Sequence, residues 1–326
     1  MQGIPFSRCK LKKISEKRWF EGPPSFFTSD LMSLTYYIKT NQMKNKTNYH
    51  THSNFSDGSA EPEDYITEAI RQGFNSLGFS EHSVLPFENT FALQPGTETA
   101  YIAEIRRLQQ IYLGQVQILL ALEADYIPGV SAGFAGLKSS LGLDYIIGSV
   151  HLVKNNHNDI LWFIDGPRRE TYDNGLNEFF GGDIRKGVTA YWHQLNQMIE
   201  NETFDIIGHL DKIKMHNQGR WFSEEEGWYL DLVNETIALI ADHSLIVEVN
   251  TRGLYKGRCE SLFPGEHILR KLREKNIRVT LSSDAHQPHE LSLWFDEAKA
   301  ILKNCGFDTL SMFSHGKWDE QSIDHD

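Results

Sequence analysis

The chain of 326 residues has a formal net charge of −12 at pH 7, with 40% hydrophobic and 23% charged residues. This composition is typical of a globular protein with a large core, and the length suits one α/β domain of barrel size or two smaller domains. The absence of an apolar run of ~18 residues argues against a membrane protein. The acidic balance argues against a nucleic-acid-binding surface, because basic side chains drive binding to a phosphate backbone.

The N-terminal residues differ from the rest of the chain. Residues 1–46 show no strand–helix rhythm and contain Gly22-Pro23-Pro24, a strong local breaker of regular structure. We interpret them as an N-terminal extension, which either precedes the true start of the protein or packs on the domain as a short arm.

Two features favour a cytoplasmic location. The first residues lack the apolar segment of a secretory signal peptide. The three cysteines are odd in number and widely spaced, so they predict neither a disulfide framework nor a CxxC metal site. They are Cys9, Cys259 and Cys305. Such usage fits a reducing compartment.

From residue 47 onward, short apolar segments alternate with longer amphipathic segments, which is the pattern of repeated βαβ units. The predicted strands cover residues 48–52, 76–82, 118–126, 145–151, 205–211, 245–251 and 278–286. The predicted helices cover residues 61–73, 98–113, 132–140, 183–201, 223–242, 264–276 and 289–304. Seven such units over residues 47–304 predict a closed or nearly closed α/β barrel of the TIM type, followed by a C-terminal tail at 305–326. An open, doubly wound sheet is the alternative.

Imidazole and carboxylate side chains collect at the ends of six of the seven predicted strands. The first strand ends in His50-Thr51-His52, and its two imidazoles point the same way because successive strand residues alternate faces. The last strand ends in Asp284-Ala285-His286, with the same spacing. The other candidates at or just after strand ends are Asp57, His82, Glu123, His151 and His209.

These nine side chains predict a metal centre. In a parallel barrel the strand ends converge at one rim, where barrel enzymes have their active sites. Neutral histidine nitrogens and carboxylate oxygens are ligands for Zn²⁺, Mn²⁺ or Fe²⁺. Each residue alone has an ordinary alternative, such as a hydrogen-bonded core histidine, but unrelated histidines would not gather at the ends of apolar strands. Nine ligands suit two or three divalent ions, with Glu123 as the bridge.

The sixth strand has no such ligand at its tip and offers Asn250 and Arg252 instead. A planar guanidinium grips phosphate oxygens bidentately, so Arg252 is the first candidate for substrate binding, with Asn250 beside it. Arg220, shortly after the fifth strand, is the second candidate. For both arginines an exposed surface position is the alternative. A pocket for the rest of a substrate is expected in the loop at 157–182, from Trp162, Asp165, Glu170 or Tyr172.

The metal motifs resemble those of the polymerase and histidinol phosphatase (PHP) superfamily. Residues 50–58 (HTHSNFSDG) resemble its first motif and residues 80–82 (SEH) its second. The later motifs are matched in order by Glu123, His151, His209 and residues 284–286. Residues 163–167, 208–212 and 248–252 are similar to the monofunctional histidinol-phosphate phosphatases within that superfamily. Some members have His where this chain has Asp57.

The resemblance implies a distorted TIM-like (β/α)7 barrel with a trinuclear metal site at the carboxyl-terminal rim. It assigns His50, His52, Glu123 and Asp284 to the first ion. It assigns Glu123 and His151 to the second ion, with His209 close by. It assigns Asp57, His82 and His286 to the third ion.

The resemblance also implies an activity, the hydrolysis of L-histidinol phosphate to L-histidinol and phosphate in histidine biosynthesis. Water activated by the ions would attack phosphorus, with Glu123, Asp284 and His209 as catalytic residues. The alternatives are a nuclease, a phosphotyrosine phosphatase or phosphodiesterase of the same fold, and a metal-binding regulator without activity. An amidohydrolase-type deaminase is a further alternative, but that fold often has lysine where strand four here ends in His151.

Overall fold

Seven parallel strands form the main sheet in a computed structural model that describes residues 46–155 and 161–324. In spatial order they are β1 (Thr47–Asn48), β2 (Ser76–His82), β3 (Gln117–Asp125), β4 (Tyr145–Ser149), β7 (Ile206–Ile207), β8 (Ile246–Asn250) and β9 (Val279–Ser282). A parallel bridge between Thr51 and Ala285 joins the first strand to the last. The predicted TIM-like barrel is therefore confirmed, and the open sheet is wrong. Residues 1–45 of the predicted extension, residues 156–160 and the last two residues lie outside the described residues.

Helices lie between the strands along the chain, as βαβ connections require. They are α1 (Pro62–Arg71), α2 (Glu98–Ile111), α3 (Phe134–Leu141), α4 (Arg169–Phe180), α5 (Ile184–Asn201), α6 (Gly227–Asp242), α7 (Arg252–Tyr255), α8 (Glu266–Glu274) and α9 (Phe295–Asn304). Local chemistry explains where two of these helices begin. Helix α1 begins with Pro62, whose missing N–H is not needed in the first turn. Asp183 caps α5 by accepting from the Lys186 N–H. None of the described helices is long and apolar enough to cross a bilayer.

The barrel interior is closed at its amino-terminal end by the last part of the chain. Within residues 305–326, predicted as a tail, β10 (Thr309–Ser314) and β11 (Lys317–Ser322) form an antiparallel hairpin. Phe313 of this hairpin packs on Tyr49 and Tyr145 inside the barrel, and its N–H donates to the Tyr49 hydroxyl at 2.8 Å. Burying one such aromatic side chain stabilises the fold by roughly 1.5–3 kcal/mol. The opposite end stays free for the functional side chains.

Two segments differ from their predicted form. The predicted loop after the fourth strand contains a small hairpin, β5 (Leu152–Lys154) and β6 (Leu161–Phe163), as well as helix α4. The last predicted helix, 289–304, is split: a 3-10 turn covers Pro288–Glu290, and α9 begins only at Phe295. Trp294 has a φ of 66°, a left-handed conformation that a continuous α-helix does not tolerate.

Candidate metal centre

Glu123, at the carboxyl end of β3, is the centre of the cluster. Five imidazole rings surround its carboxylate, each with a ring nitrogen within 3.4 Å of one of the two oxygens: His50, His52, His82, His151 and His209. These histidines come from four further strand ends of the barrel. The rim therefore brings together side chains that are far apart in sequence, as the convergence of parallel strands predicts.

The remaining predicted ligands lie on one side of this group. Asp57 Oδ2 lies 3.2 Å from His286 Nε2, and Asp57 Oδ1 lies 3.9 Å from both His82 Nε2 and His52 Nδ1. Asp284 Oδ1 lies 3.6 Å from His52 Nε2. All nine side chains predicted as ligands thus lie in one continuous cluster.

Three groups among the described residues have the spacing to hold an ion, with donor atoms within 4.8 Å of one another. They are His52, Asp57, His82 and His286; His50, His52 and Glu123; and His82, Glu123 and His151. Buried ring nitrogens in these groups have no hydrogen-bond partner: His50 Nε2, both nitrogens of His52, and His82 Nδ1. Because an unmet buried polar atom is costly, ring nitrogens without a partner that lie this close together fit divalent cations.

Two of the predicted ligands have backbone conformations that most residues avoid. His209 has a φ of 23° and Asp284 a φ of 54°. Gly208, next to His209, is needed for close packing, since a Cβ there would lie 2.4 Å from Ser149 Oγ. Such strain is typical of functional sites, where the surrounding structure holds a side chain in a required direction.

Two carboxylates behind the cluster orient its imidazoles. Glu248 Oε1 accepts from His50 Nδ1 at 2.6 Å, and Glu248 Oε2 accepts from the His209 N–H at 2.8 Å. Asp125 Oδ1 accepts from His151 Nδ1 at 2.8 Å. Since each carboxylate fixes Nδ1 as the protonated nitrogen, Nε2 is left to face the cluster. Asp125 lies two residues after Glu123, so strand alternation could have found it; the reach of Glu248 to the first strand could not be read from the sequence.

The cluster is electrostatically coupled. Burial lowers the pKa of His50, but Glu248, Glu123 and Asp284 outweigh it and raise that pKa well above its usual range. Burial raises the pKa of Glu123, but His50, His151 and His82 outweigh it and hold that pKa well below its usual range. In the metal-free protein the carboxylates are therefore ionised and protons occupy part of the imidazole set. Cations that bind here replace those protons.

A cavity of about 390 Å³ opens onto the cluster. Its basic lining residues include Arg252, Lys212 and Arg258, and its wall includes Asp165 together with Phe91 and Phe163. The two phenyl rings are stacked, with centroids 5.7 Å apart. The cleft thus combines a cationic part beside the metal ligands with an aromatic and acidic wall.

The side chains predicted to bind substrate have different positions. Arg252 lines the cleft, and its Nη1 donates to Asp284 O at 2.5 Å and to His286 Nδ1 at 2.5 Å. Asn250 is fully buried behind the ligands, where its amide donates to Glu248 Oε2 at 3.0 Å. It therefore supports the ligands from behind.

Arg220 is not among the residues that line the cleft. Its guanidinium donates to both oxygens of Asp173, at 2.9 and 2.8 Å, and stacks on Trp221. Asp173 belongs to α4, a helix in the segment predicted as a loop, so nothing in the sequence indicated this partner for Arg220. Of the four candidates in that loop only Asp165 lines the cleft, whereas Trp162 and Tyr172 are buried in the core.

Comparison with known proteins gives a consistent family. The PHP domain family matches residues 48–252. A Schizosaccharomyces pombe protein named "Probable histidinol-phosphatase" is 30% identical over 267 residues, which cover 78% of this chain and 84% of that protein. The Lactococcus lactis histidinol-phosphatase is 28% identical over 284 residues, which cover 84% of this chain and 97% of that protein.

Two solved structures share the fold. A Listeria monocytogenes protein superposes with a TM-score of 0.67 at 21% identity, over 77% of this chain and 99% of its own. The Lactococcus lactis histidinol phosphate phosphatase, solved with zinc, L-histidinol and phosphate, superposes with a TM-score of 0.58 at 23% identity, over 84% and 99% of the two chains. These superpositions support the barrel fold, and the family match spans well over half of the chain. The resemblance seen in the metal motifs is confirmed: the chain belongs to the PHP domain family.

Proposed function

We propose that this protein is a metal-dependent phosphomonoesterase that hydrolyses L-histidinol phosphate to L-histidinol and phosphate in histidine biosynthesis. The observation that carries the proposal is the Glu123 carboxylate, surrounded by five imidazoles at the base of a cleft that also holds an arginine. The relatives named for this activity match most of the chain. The cleft is of a size for a small phosphorylated metabolite, and no nucleic-acid partner is proposed.

We assign the nine ligands to two or three divalent ions, zinc, manganese or iron. His50, His52, Glu123 and Asp284 would hold the first ion, and Glu123 with His151 would hold the second, beside His209. Asp57, His82 and His286 would hold the third. When bound, the ions supply Lewis acidity toward the phosphoryl oxygens and lower the pKa of water toward neutrality.

Different side chains of the cleft are expected to contact the phosphoryl group and the organic part of the substrate. Arg252 is held at the edge of the ligand cluster by Asp284 O, with further N–H groups for a phosphoryl oxygen. Asp165 faces the cleft, and its Oδ1 has no hydrogen-bond partner among the described residues. This carboxylate and the Phe91–Phe163 pair suit the ammonium and imidazole of histidinol, since a cation pairs with the acid and a flat ring stacks on the phenyl rings.

The test is phosphate release from L-histidinol phosphate by protein of measured metal content, beside phosphotyrosine, a phosphodiester and single-stranded DNA. A strong preference for histidinol phosphate is the expected result. Comparable turnover of phosphotyrosine or the diester would contradict the substrate and indicate another phosphoesterase of the family. No turnover of any ester by metal-loaded protein would contradict the enzyme assignment itself.

Arg252→Lys is expected to lower kcat/KM for histidinol phosphate by roughly tenfold to thirtyfold. Lysine keeps the charge but loses the planar fork, and a hydrogen bond to a charged group contributes about 1.5–2 kcal/mol. Metal content measured by elemental analysis should stay at the wild-type value. Arg220→Lys is the comparison: because Asp173 engages that guanidinium outside the cleft lining, its turnover should match wild type. Equal losses in both variants would contradict the role of Arg252.

Glu81→Gln is expected to weaken the ion assigned to Asp57. Burial raises the pKa of Glu81 to about 7, and its carboxylate accepts from Ser53 N–H, Ser53 Oγ and Ser56 Oγ, which fixes the loop that carries Asp57. Glutamine has a single acceptor oxygen and an amide that donates, so a serine hydroxyl that now donates has to turn and accept, which changes the geometry of the loop. We expect about tenfold weaker binding of that ion, measured as metal content after dialysis against a graded chelator. Unchanged content across the series would show that the loop does not depend on Glu81.

A further inference from the structure

One buried lysine faces the cleft without a role in the assignments above. Lys212 belongs to a 3-10 turn, Lys212–Lys214, that follows His209. Its side chain is only 4% exposed and lines the cleft. Its ammonium lies 3.6 Å from Asp165 Oδ2 and 3.6 Å from Asp284 Oδ2, and these distances are too long for strong hydrogen bonds. Three N–H donors are thus held close to two carboxylates, and neither carboxylate accepts at short range.

Lys214, in the same turn, is a lysine with a structural role and serves as a comparison for Lys212. Lys214 has a side chain that is 2% exposed, and its Nζ lies 2.7 Å from Asp211 Oδ2. It does not line the cleft. Lys214 is therefore a closely paired internal cation, whereas Lys212 is buried to the same degree but lines the cleft, with its ammonium 5.3 Å from the centre of the Phe263 ring and no carboxylate at short range. An ammonium that lines a cleft without a close acceptor suits a ligand that carries acceptor oxygens.

Lys212 and Arg252 lie on two sides of the same metal-site carboxylate. Lys212 Nζ approaches Asp284 Oδ2 at 3.6 Å, and Arg252 Nη1 approaches Asp284 Oδ1 at 3.6 Å. Both cations line the cleft. A phosphoryl group seated beside Asp284 would therefore have a cation on either side. The phosphoryl oxygens carry negative charge, and bound ions would neutralise only part of it. Nearby cationic side chains would stabilise the rest.

We propose that Lys212 is a second cation for the phosphoryl group, which it contacts through its ammonium from the side opposite Arg252. This inference rests on the proposed phosphatase function and deepens it. Lys212 attracts the phosphoryl oxygens, while Asp165 holds the ammonium on one side and lines the part of the cleft that takes the organic half of the substrate. The two halves of the substrate are thereby sorted by charge: phosphate toward Lys212 and Arg252, the cationic half toward Asp165.

The test compares the binding of the two products to metal-loaded protein by titration calorimetry, with inorganic phosphate and L-histidinol as separate probes. In Lys212→Met we expect phosphate affinity to fall about tenfold or more, histidinol affinity to stay within twofold, and metal content to match wild type. Lys212→Arg keeps the charge and should recover part of the phosphate affinity. Lys186→Met, which changes a lysine whose side chain is 73% exposed and paired with Asp183, is the matched control and should bind both products as wild type does.

Several outcomes would overturn the inference. Unchanged phosphate affinity in Lys212→Met at full metal content would do so, as would equal losses for both products together with lost metal, which would mark a purely structural role. If Lys212→Met does not fold, the comparison moves to Lys212→Arg and Lys212→Gln, and equal phosphate affinity in these two variants counts against the proposal. Failure of the proposed function is a separate result: wild-type protein would then leave histidinol phosphate intact, while its phosphate binding still reports on Lys212.

Discussion

Glu123→Gln is expected to remove most of the bound metal and to lower kcat/KM by about a thousandfold, the loss typical of removing a central electrostatic group. The substitution keeps the shape of the side chain but replaces a charged carboxylate, whose two oxygens could bridge two ions, with a neutral amide. In the wild-type protein Oε2 faces His50, His52 and His82, while Oε1 faces His151 and His209. An amide nitrogen at either position points hydrogens at ring nitrogens and cannot coordinate an ion, so neighbouring ion sites are lost together.

Metal content by elemental analysis and turnover of histidinol phosphate should therefore fall in parallel. Glu178→Gln, which changes an exposed carboxylate of α4, is the matched control and should retain both. Circular dichroism separates metal loss from unfolding, because it reports the helices and strands and not the bound metal. A Glu123→Gln protein with full metal and near-normal turnover would show that another group bridges the ions.

The clustering of the candidate ligands could be predicted because their placement depends on strand direction alone. His50 and Asp284 are more than two hundred residues apart in sequence, yet both follow strands that point to the same rim. Any parallel barrel would bring them together, whatever the details of packing. The strand lengths were overestimated for a different reason. The residues after β7 and β9 leave the sheet at His209 and Asp284, where positive φ angles turn the chain. Periodicity carries no signal for such a turn.

The supporting side chains could not be predicted in the same way. Glu248 reaches His50 across the closed barrel. Nothing in the sequence indicates that these two side chains are neighbours. Arg220 shows the opposite error, since a basic residue near a strand end was expected in the cleft but pairs with Asp173. Lys212 lay within a segment noted only for its resemblance to relatives. Its significance comes from burial and from the two carboxylates at 3.6 Å, which are properties of the folded chain.

The C-terminal hairpin illustrates a further limit. Its second strand reads KWDEQS, mostly polar and only partly buried, so it has little of the apolar pattern that predicts a strand. It forms because β10 carries Phe313 into the barrel end, where Tyr49 and Tyr145 complete the packing. Tertiary contact thus decides the structure of a segment with weak local preference.

Glu248→Ala is expected to weaken metal binding by about a hundredfold, although Glu248 itself is placed behind the ions and does not coordinate them. The carboxylate accepts from His50 Nδ1, from the His209 N–H and from Asn250 Nδ2, at 2.6, 2.8 and 3.0 Å. Its removal leaves these donors unpaired in a buried site and frees the His50 ring to adopt the other tautomer. His209, held at a φ of 23°, also loses the bond that fixes its backbone.

Zinc affinity measured by competition with a chelator is the direct readout for Glu248→Ala. Activity measured over a series of zinc concentrations should recover toward the wild-type kcat at high metal, because the direct ligands remain. Glu297→Gln, at an exposed position of α9, should leave the affinity unchanged. If zinc binds Glu248→Ala as tightly as the wild-type protein, the direct ligands are held without it. If activity stays low at saturating zinc, Glu248 also shapes the reacting geometry, since the orientation of His50 and His209 then limits the chemical step itself.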